Sequence, residues 1–443
     1  MTSELDNLLV HRYLRVYNYY KELILSEQLA SGSRLPSIRR CAAELQMSRT
    51  TVENAYMALA AEGYILSKPQ SGFYVTDIAK ARKAAKFQNG KRQQEELPIK
   101  YNFASAGVDR NSFQFDLWRR YIKSALRQDE RLLSYGEPQG EYELREVLCR
   151  YLQQNRNVVC TPEHIVIGAG VQSLLHILCP LIRERKKAAF QNPQFKQGRA
   201  VFEDYGFAME DRLEAAEGEE PADIYYLSPS QVTAWGEVLP VQKRMELIRE
   251  AASRDVLIIE DDYNSEFRYY KHPTPSVQGL AGGHGVVYLG TFSSLLLPSI
   301  RLSFMVLPPE LLEKYQQRMD AYNQTASKTE QIALCQFIRD GHLEGQIRKT
   351  RKLYQTKMRM LCLEVERIFG DKARISPGEA GFLSLMELSI DISAAEIAAR
   401  ARKEGIAVLP VELGDGAARL MLSCAAVPVE QYGEALEKLR ACI

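Results

Sequence analysis

From residue 101 onward the chain repeats one pattern: a short, largely apolar run, then an amphipathic stretch long enough for a helix. The short runs fall at 165–167, 188–190, 224–227, 256–260, 286–289 and 303–307. Apolar runs of this length suit strands buried on both faces, and spacers of helical length point to crossovers rather than hairpins. The pattern therefore predicts an α/β fold, a mostly parallel sheet with helices on both faces. From about residue 324 the chain turns helical and then gives strands near 381–386, 407–409 and 420–423, the outline of a small α+β lobe. The expected division is a large domain over 101–323 and a small C-terminal lobe over 324–443.

The first 77 residues follow a different plan, as a chain of 443 residues permits. Tyr13, Val16, Tyr17, Tyr20 and Ile24 repeat at helical spacing, so a first helix is expected from about residue 8. Ser31-Gly32-Ser33 interrupts it, and Pro36 stands where a second helix can begin, with Ile38, Cys41, Ala42 and Leu45 as its apolar stripe. Ser48 is placed to cap a third helix that buries Val52, Ala55, Tyr56 and Leu59. Two strands, at 64–67 and 72–76, flank a turn over 68–72. Residues 78–100 are rich in Lys, Arg, Gln and Ala and read as a basic linker.

Charge and cysteines narrow the functional classes. The net charge of +1 neither demands nor forbids a polyanionic partner. Within 1–77 eight Lys and Arg oppose eight Asp and Glu, which sums to zero; within 78–100 seven oppose two, which sums to +5. That linker can attract phosphates or act as a charged tether. Eight cysteines are scattered with no C-x-x-C pair, which argues against a zinc module and a disulfide framework. With a polar, acidic start and no long apolar run, a cytoplasmic protein with reduced thiols, no membrane contact and no metal is expected.

Three stretches of the N-terminal module resemble the GntR winged helix-turn-helix. They are Arg34-Leu35-Pro36-Ser37-Ile38-Arg39, Met47-Ser48-Arg49-Thr50-Thr51-Val52-Glu53-Asn54-Ala55-Tyr56, and Glu62-Gly63-Tyr64-Ile65-Leu66 with Ser71-Gly72. The resemblance implies binding to double-stranded operator DNA through Arg34, Ser37, Arg39, Ser48, Arg49, Thr50, Thr51 and Gly72. Ser48, Arg49, Thr50 and Thr51 sit at the start of the third helix, the end that docks in a major groove. Arg49 can fork onto guanine, the hydroxyls can reach phosphates or base edges, and Arg34 and Arg39 can clamp phosphates. Gly72 lets the wing tip approach the minor groove. Solvated surface charge is the plain alternative for each arginine.

The remainder resembles the effector domain of the MocR family, in which a GntR-type winged helix is fused to a fold-type-I aminotransferase-like domain. The resemblance is carried by Leu117-Trp118-Arg119-Arg120, by Tyr135-Gly136-Glu137-Pro138-Gln139-Gly140, and by Ile259-Glu260-Asp261-Asp262-Tyr263-Asn264-Ser265-Glu266-Phe267-Arg268-Tyr269. Gly290-Thr291-Phe292-Ser293-Ser294, followed by Arg301-Leu302, resembles the family's cofactor-lysine segment, with Ser294 where the family has lysine. By that resemblance Asp261 pairs with the pyridine nitrogen of pyridoxal 5'-phosphate and Tyr263 with its phenolic oxygen. Thr291, Ser293 and Arg301 hold its phosphate, Phe195 stacks on its ring, and Arg419 grips an amino-acid carboxylate. Each has a purely structural alternative: Glu260 and Asp261 can cap a turn, Arg301 can anchor a loop, and Arg419 can pair across lobes.

The departures from the family pattern cluster at the same pocket. A lysine amine can form a Schiff base with the cofactor and a serine hydroxyl cannot. The phosphate loop reads Gly168-Ala169-Gly170-Val171-Gln172, Gln194 replaces a close-packing glycine in Pro193-Gln194-Phe195, and Pro229-Ser230-Gln231-Val232-Thr233-Ala234-Trp235-Gly236 keeps little of the family's polar contact set. The expectation is a homodimeric DNA-binding regulator with an amino-acid-like or pyridoxal-phosphate-like effector and no transaminase activity. The cofactor is either held non-covalently or lost. The alternatives are an aminotransferase with a DNA-binding appendage and a ligand-free dimerisation scaffold.

Overall fold

The computed structural model describes residues 2–77, 98–105, 107–192, 195–211, 213, 220–233, 235–269, 274–412 and 416–443, with the backbone alone for 2–11. The expected linker lies outside these residues over 78–97, as do Gln194 and Ala234. The chain forms two compact units, Met1–Glu96 and Leu97–Ile443.

The first unit contains helices α1 (Thr2–Leu25), α2 (Ile38–Glu44) and α3 (Arg49–Ala61), then a hairpin of β1 (Ile65–Lys68) and β2 (Gly72–Val75). Val16, Tyr20 and Ile24 of α1 meet Val52, Tyr56 and Leu59 of α3 in one small core. Helix α1 starts well before residue 8, because the polar residues ahead of its apolar stripe continue the same turns. Pro36 lies two residues before α2, where Ser37 is the N-cap and accepts from the Arg40 amide at 3.3 Å. Gly63, at φ 75°, takes the left-handed turn that stops α3. Tyr17 donates to Glu62 at 2.5 Å and Lys21 to Tyr17 at 2.6 Å, tying α1 to the end of α3.

The second unit is built on a seven-stranded sheet. Its strands are β4 (Ile165–Gly168), β5 (Lys187–Phe190), β6 (Ala208–Glu210), β7 (Ile224–Leu227), β8 (Leu257–Asp261), β9 (Val286–Thr291) and β10 (Ser303–Val306), in the order β4-β10-β9-β8-β7-β5-β6. All six expected runs are strands, and five of the seven are linked in parallel; β10 runs antiparallel to both β4 and β9. The edge strand β6 escapes sequence reading because it is three residues long and only partly covered.

A second sheet, all antiparallel, orders β11 (Ala373–Pro377), β12 (Leu383–Leu388), β15 (Ala418–Ser423) and β14 (Leu409–Val411). The strand expected at 407–409 is two strands. Ile406–Ala407 (β13) pairs in parallel with β3 (Tyr101–Asn102), and beyond Val408 the chain switches to β15. Residues at the very start of the expected large domain are therefore hydrogen-bonded to a strand of the expected small lobe. Helices Lys328–Arg339 and His342–Phe369 join the lobes through one continuous apolar core.

Beneath the carboxyl end of β8 lies a buried ion pair. Arg156, the last residue of helix Tyr142–Arg156, donates from Nε and Nη2 to both oxygens of Asp262 at 2.6 and 2.8 Å. Ser230 at 2.8 Å and Tyr288 at 2.5 Å complete the carboxylate's partners. Among the described residues no helix is long and apolar enough to cross a membrane, and no cluster of three or more His, Cys, Asp or Glu is placed to hold a metal.

Removing one partner of such a pair leaves an uncompensated charge in the core. Arg156→Met is expected to lower unfolding free energy by about 3–5 kcal/mol, read from denaturant titration at neutral pH. A loss under about 1 kcal/mol would show that the pair is not the organising contact.

Candidate functional site

In the first unit, helix periodicity sorts the residues expected to touch DNA. Arg49 and Thr50 are exposed at the start of α3, and Arg34 and Arg39 are exposed around α2. Ser48 is the N-cap of α3: its Oγ accepts from the Thr51 amide at 3.1 Å and lies 2.7 Å from Thr51 Oγ1. Thr51, expected on the DNA face, is 3% exposed and faces the core. Ser37 and Ser48 thus spend their hydroxyls on caps, and Thr51 spends its on Ser48. Arg34 lies along the wing, where a Cβ at residue 72 would stand 3.3 Å from its Nε and crowd that exposed side chain; Gly72 is required by its backbone, φ 108°.

In the second unit the carboxyl ends of the parallel strands open into a cavity of about 650 Å³. This is where α/β sheets place their ligands. Phe195, Asp261, Tyr263, Thr291, Ser293 and Arg301 all line it, brought together from β8, β9 and the segments that follow β5 and precede β10. Phe195 sits just before helix Lys196–Asp204, and its ring lies where a Cβ at Gly198 would be, 2.1 Å from Cε1. The ring centroid is 5.6 Å from that of Tyr226.

One end of the cavity suits an anion. Ser303 donates to Thr291 Oγ1 at 2.9 Å, and Thr291 in turn to Ser293 at 3.2 Å. Gly170, at φ 98°, precedes helix Val171–Leu181 with no side-chain cap, leaving the first amides of the helix open to a ligand. Arg301 holds a left-handed backbone, φ 52° and ψ 34°, and its exposed guanidinium crosses the same spot. A Cβ at residue 170 would come within 2.3 Å of Arg301 Nη2. The Arg301 contact to the Ala169 carbonyl is long, 3.5 Å, so the fork is not locked into the loop.

Asp261 is the acid of the cavity. Burial raises its pKa to about 6, opposed by a hydrogen bond from Tyr226, whose hydroxyl donates to Oδ2 at 2.8 Å. Its neighbours in the chain serve other ends. Glu260 accepts from the amides of Val277 and Gln278 at 2.9 Å each, the capping alternative realised at one of the two acids, and burial raises its pKa to about 7. Burial also opposes ionisation of Asp262, but Arg156 prevails and holds its pKa below the usual value.

Two residues stand apart from the cavity. Ser294 is 6% exposed and, unlike Ser293, is not among the lining residues, and the lining includes no lysine among the described residues. Arg419 donates from Nε to Glu387 on the adjacent strand β12 at 2.7 Å, a pairing within one sheet of the C-terminal lobe rather than across lobes, and is not among the lining residues. Near it the cavity wall is apolar, with Phe382, Leu383, Leu409 and Met421.

Sequence reading missed Tyr226, one of two adjacent tyrosines in an otherwise aliphatic buried strand, and Arg156, which no motif marks. It also undervalued Gln231, which lines the cavity and accepts from Asn264 Nδ2 at 2.8 Å.

Comparison with known proteins agrees with this geometry. Residues 12–75 match the family of bacterial regulatory proteins, gntR family, and residues 105–439 match aminotransferase class I and II. The chain is 35% identical to the uncharacterized HTH-type transcriptional regulator YdeL of Bacillus subtilis (strain 168), over 97% of this chain and 96% of the relative. It is 28% identical to the probable rhizopine catabolism regulatory protein MocR of Rhizobium meliloti, over 84% and 80% of the two chains. Among solved structures it resembles LysN, the α-aminoadipate aminotransferase of Thermus thermophilus, complexed with N-(5'-phosphopyridoxyl)-L-leucine. The TM-score is 0.66 at 23% identity, covering 78% of this chain and 92% of that one. The fold is thus a winged helix-turn-helix joined to a fold-type-I aminotransferase domain.

Tyr226→Phe removes the hydroxyl that favours ionised Asp261. The substitution is expected to cost about 1–3 kcal/mol of stability, and more at pH 8 than at pH 5. Below the folded pKa of about 6 the acid is already protonated, whereas above it the charge must be carried without its hydrogen bond. Equal losses in denaturant titrations at both pH values would contradict this assignment.

Proposed function

This chain belongs to the MocR-type HTH transcriptional regulators, a GntR winged helix fused to an aminotransferase class I and II domain, and we propose that its second unit senses a ligand without converting it. The observation that carries the proposal is the combination of a furnished cavity and a serine at residue 294. Arg301, Thr291, Ser293 and the open helix start suit a phosphate, Asp261 suits a protonated ring nitrogen, and Phe195 offers a ring face. Those residues fit pyridoxal 5'-phosphate, the group present as a phosphopyridoxyl adduct in LysN. The aldehyde that this cofactor supplies needs an amine to be held covalently. Ser294 offers only a hydroxyl, so the ligand is held by its phosphate and ring.

Arg301 and the helix start draw the anion in, Asp261 sets the ring's protonation, and Phe195 excludes water from one face. Arg419 is already engaged by Glu387, so an amino-acid carboxylate would have to compete with that acid. A flat, phosphate-bearing effector is therefore favoured over a free amino acid. Ligand binding regulates the attachment of the winged helix to operator DNA.

We further propose that the regulator is a homodimer. Leu126, Leu133, Tyr135 and Tyr142, on neighbouring turns of the second unit, are exposed apolar side chains, with Leu133 at 89% and Tyr135 at 102%. Exposed apolar side chains this close in the chain are the kind of surface a partner copy would cover. A twofold pair of winged helices matches paired half-sites in DNA.

Isothermal titration of the protein with pyridoxal 5'-phosphate is expected to give saturable binding, weakened at least about tenfold by Arg301→Ala. Ser294→Lys is expected to gain partial visible absorbance that borohydride bleaches. A borohydride-fixed adduct in the unsubstituted protein would mean that another lysine reaches the cavity and would overturn the non-covalent reading. Absence of any heat would remove the cofactor and leave the regulator.

Light scattering at micromolar concentration is expected to give twice the 50.3 kDa chain mass. A monomer that binds operator DNA with full affinity would refute the dimer.

A further inference from the structure

The outward side of α3 carries Arg49, Thr50, Glu53, Asn54 and Met57, while Val52, Ala55, Tyr56 and Leu59 face the core. An acid in the middle of this surface is unexpected on electrostatic grounds. Residues 1–77 carry no net charge, and every phosphate of a docked duplex would repel Glu53. Arg49 and Glu53 stand one helical turn apart, a spacing at which opposite charges meet. One helix earlier, Arg40 and Glu44 at the same spacing and in the same order close an ion pair at 2.7 Å. Arg254 pairs likewise with Glu250, and Arg400 with Glu396. Between Arg49 and Glu53 no ion pair forms among the described residues. Both side chains are exposed, so the acid neither neutralises the arginine nor supports the core.

We propose that Glu53 is a specificity-determining residue that reads a cytosine in the operator, beside the guanine read by Arg49. In the major groove cytosine presents only the N4 amino donor, which a carboxylate accepts. Guanine and thymine present the O6 and O4 acceptors, which repel it. At adenine the N6 donor stands beside the N7 acceptor, so one carboxylate oxygen is opposed. An acid here thus costs affinity on most sequences and recovers it at one base, which converts a charge penalty into discrimination. Four residues advance the helix by about 6 Å and base pairs stack at about 3.4 Å, so the two bases lie about two base pairs apart. The inference rests on α3 being the recognition helix.

The test is selection of bound duplexes from a randomised pool by the full-length protein, followed by sequencing. The unsubstituted protein is expected to select a G and a C about two base pairs apart. Glu53→Ala is expected to keep the G and lose the C, with discrimination at that position falling about five- to a hundredfold. Glu53→Gln is expected to move the preference from C toward A, since an amide can both donate to N7 and accept from N6. Arg49→Ala should lose the G while keeping the C. If Arg49→Ala alters the motif and Glu53→Ala does not, the reading of Glu53 is wrong and that of α3 stands. Uniformly tighter binding by Glu53→Ala with an unchanged motif would show mere repulsion and also overturn the proposal. If neither substitution alters the selected motif, α3 is not the recognition helix. Because Glu53 is exposed, the thermal melt of each variant should be unchanged, separating readout from folding.

Discussion

Which way the end of β8 faces is decided by the Arg156–Asp262 pair. Three acids in a row, Glu260, Asp261 and Asp262, cannot all enter one low-dielectric site. Successive residues of an extended chain point to opposite sides. Once Asp262 is bound to Arg156, with Tyr288 and Ser230 filling its remaining positions, Glu260 lies on the same side with two backbone amides and Asp261 is turned the other way, toward the cavity. Asp261, the one acid among the described lining residues, is thus positioned from behind, by a helix that contributes nothing else to that lining.

Much of this architecture was legible in the sequence. The six apolar runs became strands because burial on both faces leaves an unambiguous pattern. The N-cap at Ser48 was legible because a hydroxyl ahead of an apolar-periodic stretch often caps a helix, whereas the cap at Ser37 was not read. Beyond these, β6 and β11 are short or partly exposed edge strands with no pattern to read. The split at Val408 depends on β3, three hundred residues away in the chain. Orientation is similarly non-local. All six cavity residues inferred from resemblance do line the cavity, but nothing in the sequence indicated that Arg419 would be taken by Glu387, or that Tyr226 would reach Asp261.

The winged unit shows the same division between scaffold and function. Its hydroxyl residues look interchangeable as DNA contacts, yet Ser37, Ser48 and Thr51 close helix starts, leaving Arg49 and Thr50 at the tip. A rigid start to α3 means that its exposed side chains present a fixed spacing to any partner, so discrimination can come from position as well as from charge.

The contact between Gly170 and Arg301 has a consequence for how such a chain can change over time. Any side chain at 170 would collide with the guanidinium, and the left-handed turn at Gly170 would be strained as well. Residue 170 is therefore held to glycine by its own backbone, even where the exposed guanidinium swings aside. Drift at 170 meets a backbone constraint that no movement of Arg301 relieves. The start of helix Val171–Leu181 accordingly keeps its uncapped amides whichever way the guanidinium points.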